Sequence, residues 1–280
     1  MRQNRLRLSI SIVTYAPNLS LLRNTILSLD KAINYARKHD ILGQTELFLI
    51  DNGPGVILRS SLPALCSGTK KPDRTATYTI IDGHGNIGYG AGHNLAVGRF
   101  ACDFHLILNP DVLVAEDALF QGLTFLVSYP DIGLLAPRVL DENGNTQYLC
   151  KRYPSVLDLL LRGFGSPLIC QAFRKRLNRY ELRDQLGDAV VRDVPIASGC
   201  CMLFRDSVLR RLHGFCPAYF LYFEDFDISL RLAAIARIAY VPSMRITHFG
   251  GFAARKGARH IGMFMHSAMK FFNRHGWKWL

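Results

Sequence analysis

Three groups of residues in this sequence have types and spacings suited to chemistry. Asp111 closes the triplet Asn109-Pro110-Asp111 behind the apolar run Phe104–Leu108. A carboxylate held at the end of a strand is placed to bind a divalent metal that bridges a diphosphate. Glu224, Asp225 and Asp227 follow the aromatic run Tyr219–Phe223. Apolar surroundings and adjacent carboxylates raise a carboxyl pKa and suit a base held dry beside a substrate. His248 stands in Thr247-His248-Phe249-Gly250-Gly251, where the glycines permit close backbone approach. With Asp111 and Asp225 it completes a metal-plus-base set for diphosphate chemistry. Each group also has a plain structural reading: a turn aspartate, acids that favour a helix N-terminus, and a packing histidine.

A fourth feature is the glycine-dense loop GHGNIGYGAGHN, Gly83–Asn94. It matches G-x-G-x-x-G at Gly83, Gly85 and Gly88, after a strand and before a helix, so a dinucleotide-binding oxidoreductase or epimerase is one reading. The match falls on the third strand, however. Gly90 and Gly92 continue the run, which argues against a helix starting where a pyrophosphate needs one. Asn86, His93 and Asn94 among glycines instead set amides and backbone N–H groups against a nucleotide or sugar.

The elements that must position these residues alternate. Leu8–Thr14 reads as a strand, and Leu19–Ala36 as a helix with Leu22, Ile26, Leu29 and Ile33 on one face. Glu46–Ile50, Thr77–Ile81 and Phe104–Leu108 read as further strands, with helices over Gly92–Phe100 and Ala115–Ser128. This βαβαβ order implies a mostly parallel sheet flanked by helices. Ligands bind such sheets beyond the carboxyl ends of the strands. Tyr15, Asp51, the glycine loop and Asn109–Asp111 all fall there and should share one pocket. Beyond residue 141 the pattern predicts a polar turn, an apolar helix and a basic helix. Next come a core strand over Pro195–Phe204, helices at Asp206–Leu212 and from Glu224, and a strand at Ile238–Pro242.

The chain has 280 residues, 49% of them hydrophobic, with a net charge of +12. Disorder is excluded, and no segment has the unbroken apolar length of a membrane span. The N-terminus reads as a first strand and not as a signal peptide. Seven cysteines with no CxxC pair imply reduced thiols in a cytosolic protein, without a disulfide framework or zinc site. The positive charge suits an anionic membrane face or a phosphorylated substrate. No nucleic-acid signature accompanies it. A non-catalytic basic membrane- or nucleic-acid-binding module is the remaining alternative.

Together, SIVTYAPN (Ser11–Asn18), IDNGPG (Ile50–Gly55), GNIGYGAGHNLA (Gly85–Ala96), LILNPDV (Leu106–Val112), SGCCMLFR (Ser198–Arg205), GFCPAYFLYFEDFDISLR (Gly214–Arg231) and ITHFGG (Ile246–Gly251) resemble the family 2 inverting glycosyltransferases of the GT-A fold, in their bacterial rhamnosyltransferase-like branch. The resemblance implies a nucleotide-binding, Rossmann-like α/β catalytic domain over residues 1–251. Its nucleotide half would run to about 135 and its acceptor half over 136–251, with a basic amphipathic segment at 252–280. It implies that Thr14, Tyr15, Asp51 and Asn52 surround the nucleoside. Gly85, Asn86, Gly88, Asn94 and Asn109 would line the donor loop, with Arg255 and Lys256 near the diphosphate. Asp111 would take the metal-binding place of the last DxD carboxylate, with His248 as a further ligand to Mg2+ or Mn2+; Asn109 departs from the pattern as an amide. Asp225 would be the catalytic base, with Glu224 and Ser198 towards the acceptor.

The expected reaction is a single inverting displacement of L-rhamnose from dTDP-L-rhamnose onto a lipid-linked or lipopolysaccharide-type (O-antigen) cell-envelope glycan. The expected location is the cytoplasmic face of the membrane. The tail places Ile261, Phe264, Ala268 and Phe272 on one helical face among basic residues. That pattern fits either an anionic lipid surface or a helix packed on the domain.

Overall fold

Leu8, Ile10 and Ile12 are fully buried on β1 (Leu6–Thr14), the strand around which the sheet is built. The computed structural model describes residues 5–53, 77–250 and 257–280. Helix α1 (Leu19–Lys38) lays Leu22, Ile26, Leu29 and Ile33 against that strand's face. Asn18 starts it: its side-chain oxygen accepts the Ser20 and Leu21 N–H groups at 3.0 and 3.2 Å, satisfying donors that a helix end leaves orphaned.

The chain continues through β2 (Leu42–Asp51), β3 (Thr77–Ile81), α2 (Tyr89–Asn94), β4 (Phe104–Leu108), β5 (Val112–Val114), α3 (Ala118–Ser128), β6 (Ile132–Leu140) and β7 (Thr146–Gln147). Then come α4 (Val156–Phe164), α5 (Pro167–Ala172), α6 (Arg174–Tyr180), β8 (Val191–Arg192), β9 (Cys201–Arg205), α7 (Asp206–Arg211), α8 (Glu224–Leu232), β10 (Arg237–His248) and α9 (Ala258–His275). The sheet order is β3-β2-β1-β4-β9-β6-β10-β5, with β7 on β6 and β8 on β10.

Strands β3, β2, β1 and β4 are parallel. Strand β9 runs against both β4 and β6, and β10 is parallel to β6. It follows that β6 and β10 point the same way as β4. The carboxyl ends of β1, β2, β4 and β10 and the amino end of β9 therefore lie along one edge of the sheet. This edge collects the polar motifs, as a strand-end ligand site requires. The intervening antiparallel β9 departs from a doubly wound dinucleotide sheet.

Three local expectations change. The helix predicted at Gly92–Phe100 begins instead at Tyr89, behind Gly88 at φ 93°. Gly90 and Gly92 do not prevent it; a Cβ on Gly90 would meet Phe215 Cβ at 2.7 Å and one on Gly92 would meet Val13 Cγ2 at 2.9 Å. These glycines serve close packing of the helix, not a longer loop. The strand predicted over Pro195–Phe204 is shortened to Cys201–Arg205, because Gly199 turns its N–H to a side chain of α8. The strand at Ile238–Pro242 extends to His248.

The tail helix α9 packs on the domain. Ala268, Phe271 and Phe272 form a buried cluster with Tyr219 and Phe223. His275 Nε2 lies 2.9 Å from the fully buried Asp227 of α8, which also pairs with Arg231 at 2.7 Å. Most of the apolar face read from the tail sequence is thus turned inward. Among the described residues, no helix is long and apolar enough to cross a membrane.

Candidate active site

Residues Thr14, Asp51 and Asn52 are all buried where β1 and β2 end. Asn52 N–H donates to the Thr14 carbonyl at 2.9 Å, locking the two strand ends together. Asp51 Oδ1 accepts the Gly53 N–H at 2.8 Å, and Tyr15 is largely exposed beside them. Asn52 also gathers the glycine loop: its Nδ2 donates to the Gly88 carbonyl at 2.9 Å and lies 3.5 Å from Asn86 Oδ1, while its Oδ1 meets His84 Nε2 at 2.9 Å. Gly85 sits in this loop at φ 69°. The Asn94 side chain clamps the Phe215 backbone instead, accepting and donating at 2.8 Å. Arg255 and Lys256 lie outside the described residues.

Beyond β4, Asn109, Asp111 and His248 come together across a long sequence separation. The β5–β10 pairing sets His248 opposite Val112. This brings His248 Nε2 to 3.5 Å from Asp111 Oδ1 and 3.5 Å from Asn109 Nδ2. A Cβ on Gly250 would lie 2.5 Å from Asp111 Oδ2 and 2.7 Å from His248 Nε2, so glycine keeps space open in front of both groups. An oxygen and an imidazole nitrogen converging on that space fit a hard divalent ion that completes its shell with diphosphate oxygens and water. Among the described residues no group of three or more His, Cys, Asp or Glu side chains is arranged to hold a metal. Asp111 and His248 alone would leave most of such an ion's coordination to substrate and water.

Asp225 stands at the first turn of α8, entered through Tyr222 and Phe223 at φ 71° and 65°. Two successive non-glycine residues in the left-handed region mark local strain held by the surrounding packing. Asp225 Oδ2 accepts the Gly199 N–H at 2.9 Å and Oδ1 accepts the Phe226 N–H at 3.0 Å. Burial raises its pKa, and those backbone N–H groups oppose the rise. Glu224 is pushed well above the usual carboxylate range by burial and then by the Asp225 charge. One residue of the pair is therefore set up to hold a charge and its neighbour to hold a proton. Asp225, Glu224 and Ser198 line one pocket of about 300 Å³ with Tyr222, Phe223 and Phe226.

Tyr89, which the sequence reading passed over, joins the two halves. Its hydroxyl lies within hydrogen-bond reach of Asn109 Oδ1 at 2.9 Å and of the Gly199 carbonyl. Burial, followed by the Glu224 charge, raises the phenol well above its ordinary pKa and keeps it a donor. Its single proton is shared between these two acceptors, and the Asn109 amide beside it turns Nδ2 towards His248. The tyrosine follows Gly88 directly, and an aromatic with a polar tip at a strand-end loop is the signal that was available.

Comparison with known proteins agrees with this geometry. No family model matches the chain. It is 27% identical to N-acetylglucosaminyl-diphospho-decaprenol L-rhamnosyltransferase of Mycobacterium tuberculosis, over 69% of this chain and 66% of that protein. It is 26% identical to Rhamnosyltransferase WbbL of Escherichia coli K12, over 59% and 62%. The match thus spans about 66% or less of the length of these curated relatives. Among solved structures, GalNAc-T7 with UDP, GalNAc and Mn2+ superposes with TM-score 0.65 at 16% identity, covering 97% of this chain and 48% of that one. Staphylococcus aureus TarS 1–349 with UDP-GlcNAc gives 0.56 at 13%, covering 96% and 67%. Sheet order, strand-end site and relatives agree: the chain has the GT-A glycosyltransferase fold and is similar in sequence to bacterial rhamnosyltransferases.

Proposed function

We propose that the protein is an inverting glycosyltransferase that moves L-rhamnose from dTDP-L-rhamnose to a hydroxyl of a lipid-linked, cell-envelope glycan intermediate. The observation that carries the reading is the hydrogen-bonded path Asp225–Gly199–Tyr89–Asn109–His248. It holds the Asp225 carboxylate and the Asn109–Asp111–His248 cluster at fixed separation on one sheet edge, which supports a general base working beside a diphosphate-end site. The named relatives support rhamnose as the sugar.

Asp51, Asn52 and the Gly85–Gly88 loop bind the nucleoside end. Asp225 takes the proton of the acceptor hydroxyl as that oxygen attacks the anomeric carbon, opposite the departing diphosphate. Backbone N–H groups on both Asp225 oxygens hold the carboxylate in one orientation, so little reorganisation accompanies proton transfer. Glu224, kept protonated, donates a hydrogen bond towards acceptor oxygens at Ser198's side of the pocket. Asp111 and His248 would hold Mg2+ or Mn2+, which when bound neutralises charge on the leaving diphosphate. One displacement inverts the configuration. The reaction takes place at the cytoplasmic face of an anionic membrane.

The test is incubation with dTDP-L-rhamnose and a lipid-linked N-acetylglucosamine acceptor, following dTDP release and product anomer by NMR. A product of inverted configuration is expected. Retention, or NAD-dependent oxidation of the sugar nucleotide, would overturn the reading.

A further inference from the structure

The pocket in front of Asp225 has a second polar wall that the reaction above does not use. It is made by Lys151 and Arg162, which line the same pocket as Glu224 and Asp225. Both cations converge on Glu181: Lys151 Nζ lies 3.3 Å from its Oε1, Arg162 pairs with the same oxygen, and Arg183 Nε lies 2.7 Å from Oε2. Three cations thus share one carboxylate, and two positive charges are left without an equivalent anion. Lys151 and Glu181 are 7% and 10% exposed at their side chains, so water screens their pairing weakly, whereas Arg162 and Arg183 are 36% and 48% exposed. Burial, and next the Arg162 charge, pull the Lys151 ammonium down to about 7. A second anion at this wall would oppose both effects.

The remaining walls are apolar. Leu149, Leu159, Phe226, Ile261 and Phe264 surround the space. Leu159 and Phe264 also border an adjoining groove between α4 and α9, lined by Leu160, Met265, Met269 and Trp277. Leu160, Met265 and Met269 are exposed there. Base and cation cluster thus share one pocket, and that pocket adjoins the apolar groove through Leu159 and Phe264, as the hydroxyl, anion and hydrocarbon of a single amphiphile would require.

We infer that Lys151 and Arg162 bind the phosphate of an amphiphilic acceptor whose hydrocarbon chain lies in the α4–α9 groove. This deepens the glycosyl-transfer reading and rests on it for the role of Asp225. The acceptor class is a phosphorylated or diphosphorylated lipid. Its headgroup sugar would reach Asp225, and its chain would leave towards the exposed methionines.

The test uses farnesyl phosphate as probe on the full-length chain, by titration calorimetry with dTDP present to occupy the donor side. Farnesyl phosphate should bind at least about tenfold more tightly than farnesol and than methyl phosphate, since a charge-assisted bond and an apolar chain each contribute that much. Lys151→Met and Arg162→Gln should each weaken it about tenfold or more. Glu181→Gln removes the competing anion and should tighten it. That opposite sign keeps the test informative if a Lys151 variant folds poorly. Equal binding by wild type and the Lys151 and Arg162 variants overturns the site, as does weaker binding by Glu181→Gln. Farnesol binding as tightly as the phosphate overturns the anion half, and methyl phosphate doing so overturns the groove. A parallel dTDP titration without lipid reads the donor side alone. If it fails while the farnesyl phosphate pattern holds, the sugar-transfer reading fails and the anion site stands.

Discussion

Gly199 donates its backbone N–H to Asp225 at 2.9 Å while its carbonyl accepts the Tyr89 hydroxyl. The turn at the amino end of β9 thereby couples Asp225 to the helix that follows the glycine loop. Tyr89→Phe keeps the ring packing against His93 and Phe215 but deletes the hydroxyl. With a net hydrogen bond contributing about 0.5–1.5 kcal/mol, a fall in kcat of about tenfold is expected. The KM for the nucleotide sugar should change little, because Asn52 holds the loop independently. A change confined to KM, seen in steady-state kinetics, would remove Tyr89 as a positioning residue.

Asp225→Asn should lower kcat by about 10²–10⁴, the usual contribution of a general base, while dTDP still binds. Glu224→Gln resembles the protonated acid that burial enforces and should cost less than about tenfold. Because burial raises the Asp225 pKa, the working carboxylate forms only above that raised value. Activity therefore falls as pH drops through it, at a pH above the ordinary aspartate range. Reversal of the two mutant effects would assign the base to Glu224.

Much of this arrangement was legible in the sequence. Apolar runs located β1 and β4, a 3.6-residue period located α1, strand-end clusters singled out Asp51 and Asn109–Asp111, and the acids behind an aromatic run singled out Asp225. What stayed hidden depends on tertiary contact. Gly90 and Gly92 read as helix breakers until Phe215 and Val13 are seen to fill their space. Asn94 looked like a ligand-facing amide but spans 121 positions to clamp Phe215. Lys151, Arg162 and Glu181 lie in different elements, and no local spacing announces that they meet.

Stability should depend on pH through a buried pair. The Ser11 hydroxyl bridges His93 Nδ1 at 2.7 Å and His105 Nε2 at 2.9 Å, with all three residues fully buried. Burial pulls His105 down to about 4, and burial and then the His105 charge pull His93 well below its ordinary value. Between pH 6.5 and about 4 the unfolded chain binds protons that the folded chain does not. Stability is thus fully present above 6.5 and declines as pH falls across that window, by up to about 3 kcal/mol for His105 alone. Urea midpoints measured from pH 7.5 to 4.5 should decrease, and His105→Gln should flatten the slope. A wild-type midpoint that is constant over this range contradicts the neutral-imidazole assignment.

Asp111→Ala and His248→Ala should each weaken the Mn2+-dependent part of the dTDP thermal shift, since each removes one of two protein ligands. Bound ligand stabilises by mass action, so the shift reports affinity directly. EDTA should reproduce the variants. Full activity in EDTA would leave diphosphate charge to basic groups instead.

Contact with an anionic membrane should use the part of the tail that remains outside the core. Phe271 and Phe272 are buried, whereas Met269, Trp277 and Trp279 are 54%, 45% and 63% exposed. The end of the chain is anchored: Val156 and Leu157 donate backbone N–H groups to the Lys278 and Trp279 carbonyls at 2.8 and 3.2 Å. Trp277 stacks on Phe272 and Trp279 on Trp277. Exposed aromatics on a fixed frame suit the headgroup layer, and neighbouring Lys270, Arg274 and Lys278 supply charge. Each basic residue near an anionic surface adds about 1 kcal/mol of attraction. Flotation should therefore recover the protein with phosphatidylglycerol vesicles far more than with phosphatidylcholine vesicles. Lys270→Gln with Lys278→Gln should lower that recovery several-fold, about 2 kcal/mol being an upper limit for two charges. Trp279→Glu should lower it further without disturbing the Tyr219–Phe271 cluster. Equal recovery from both lipids, or no response to these changes, would leave the tail with the packing role alone.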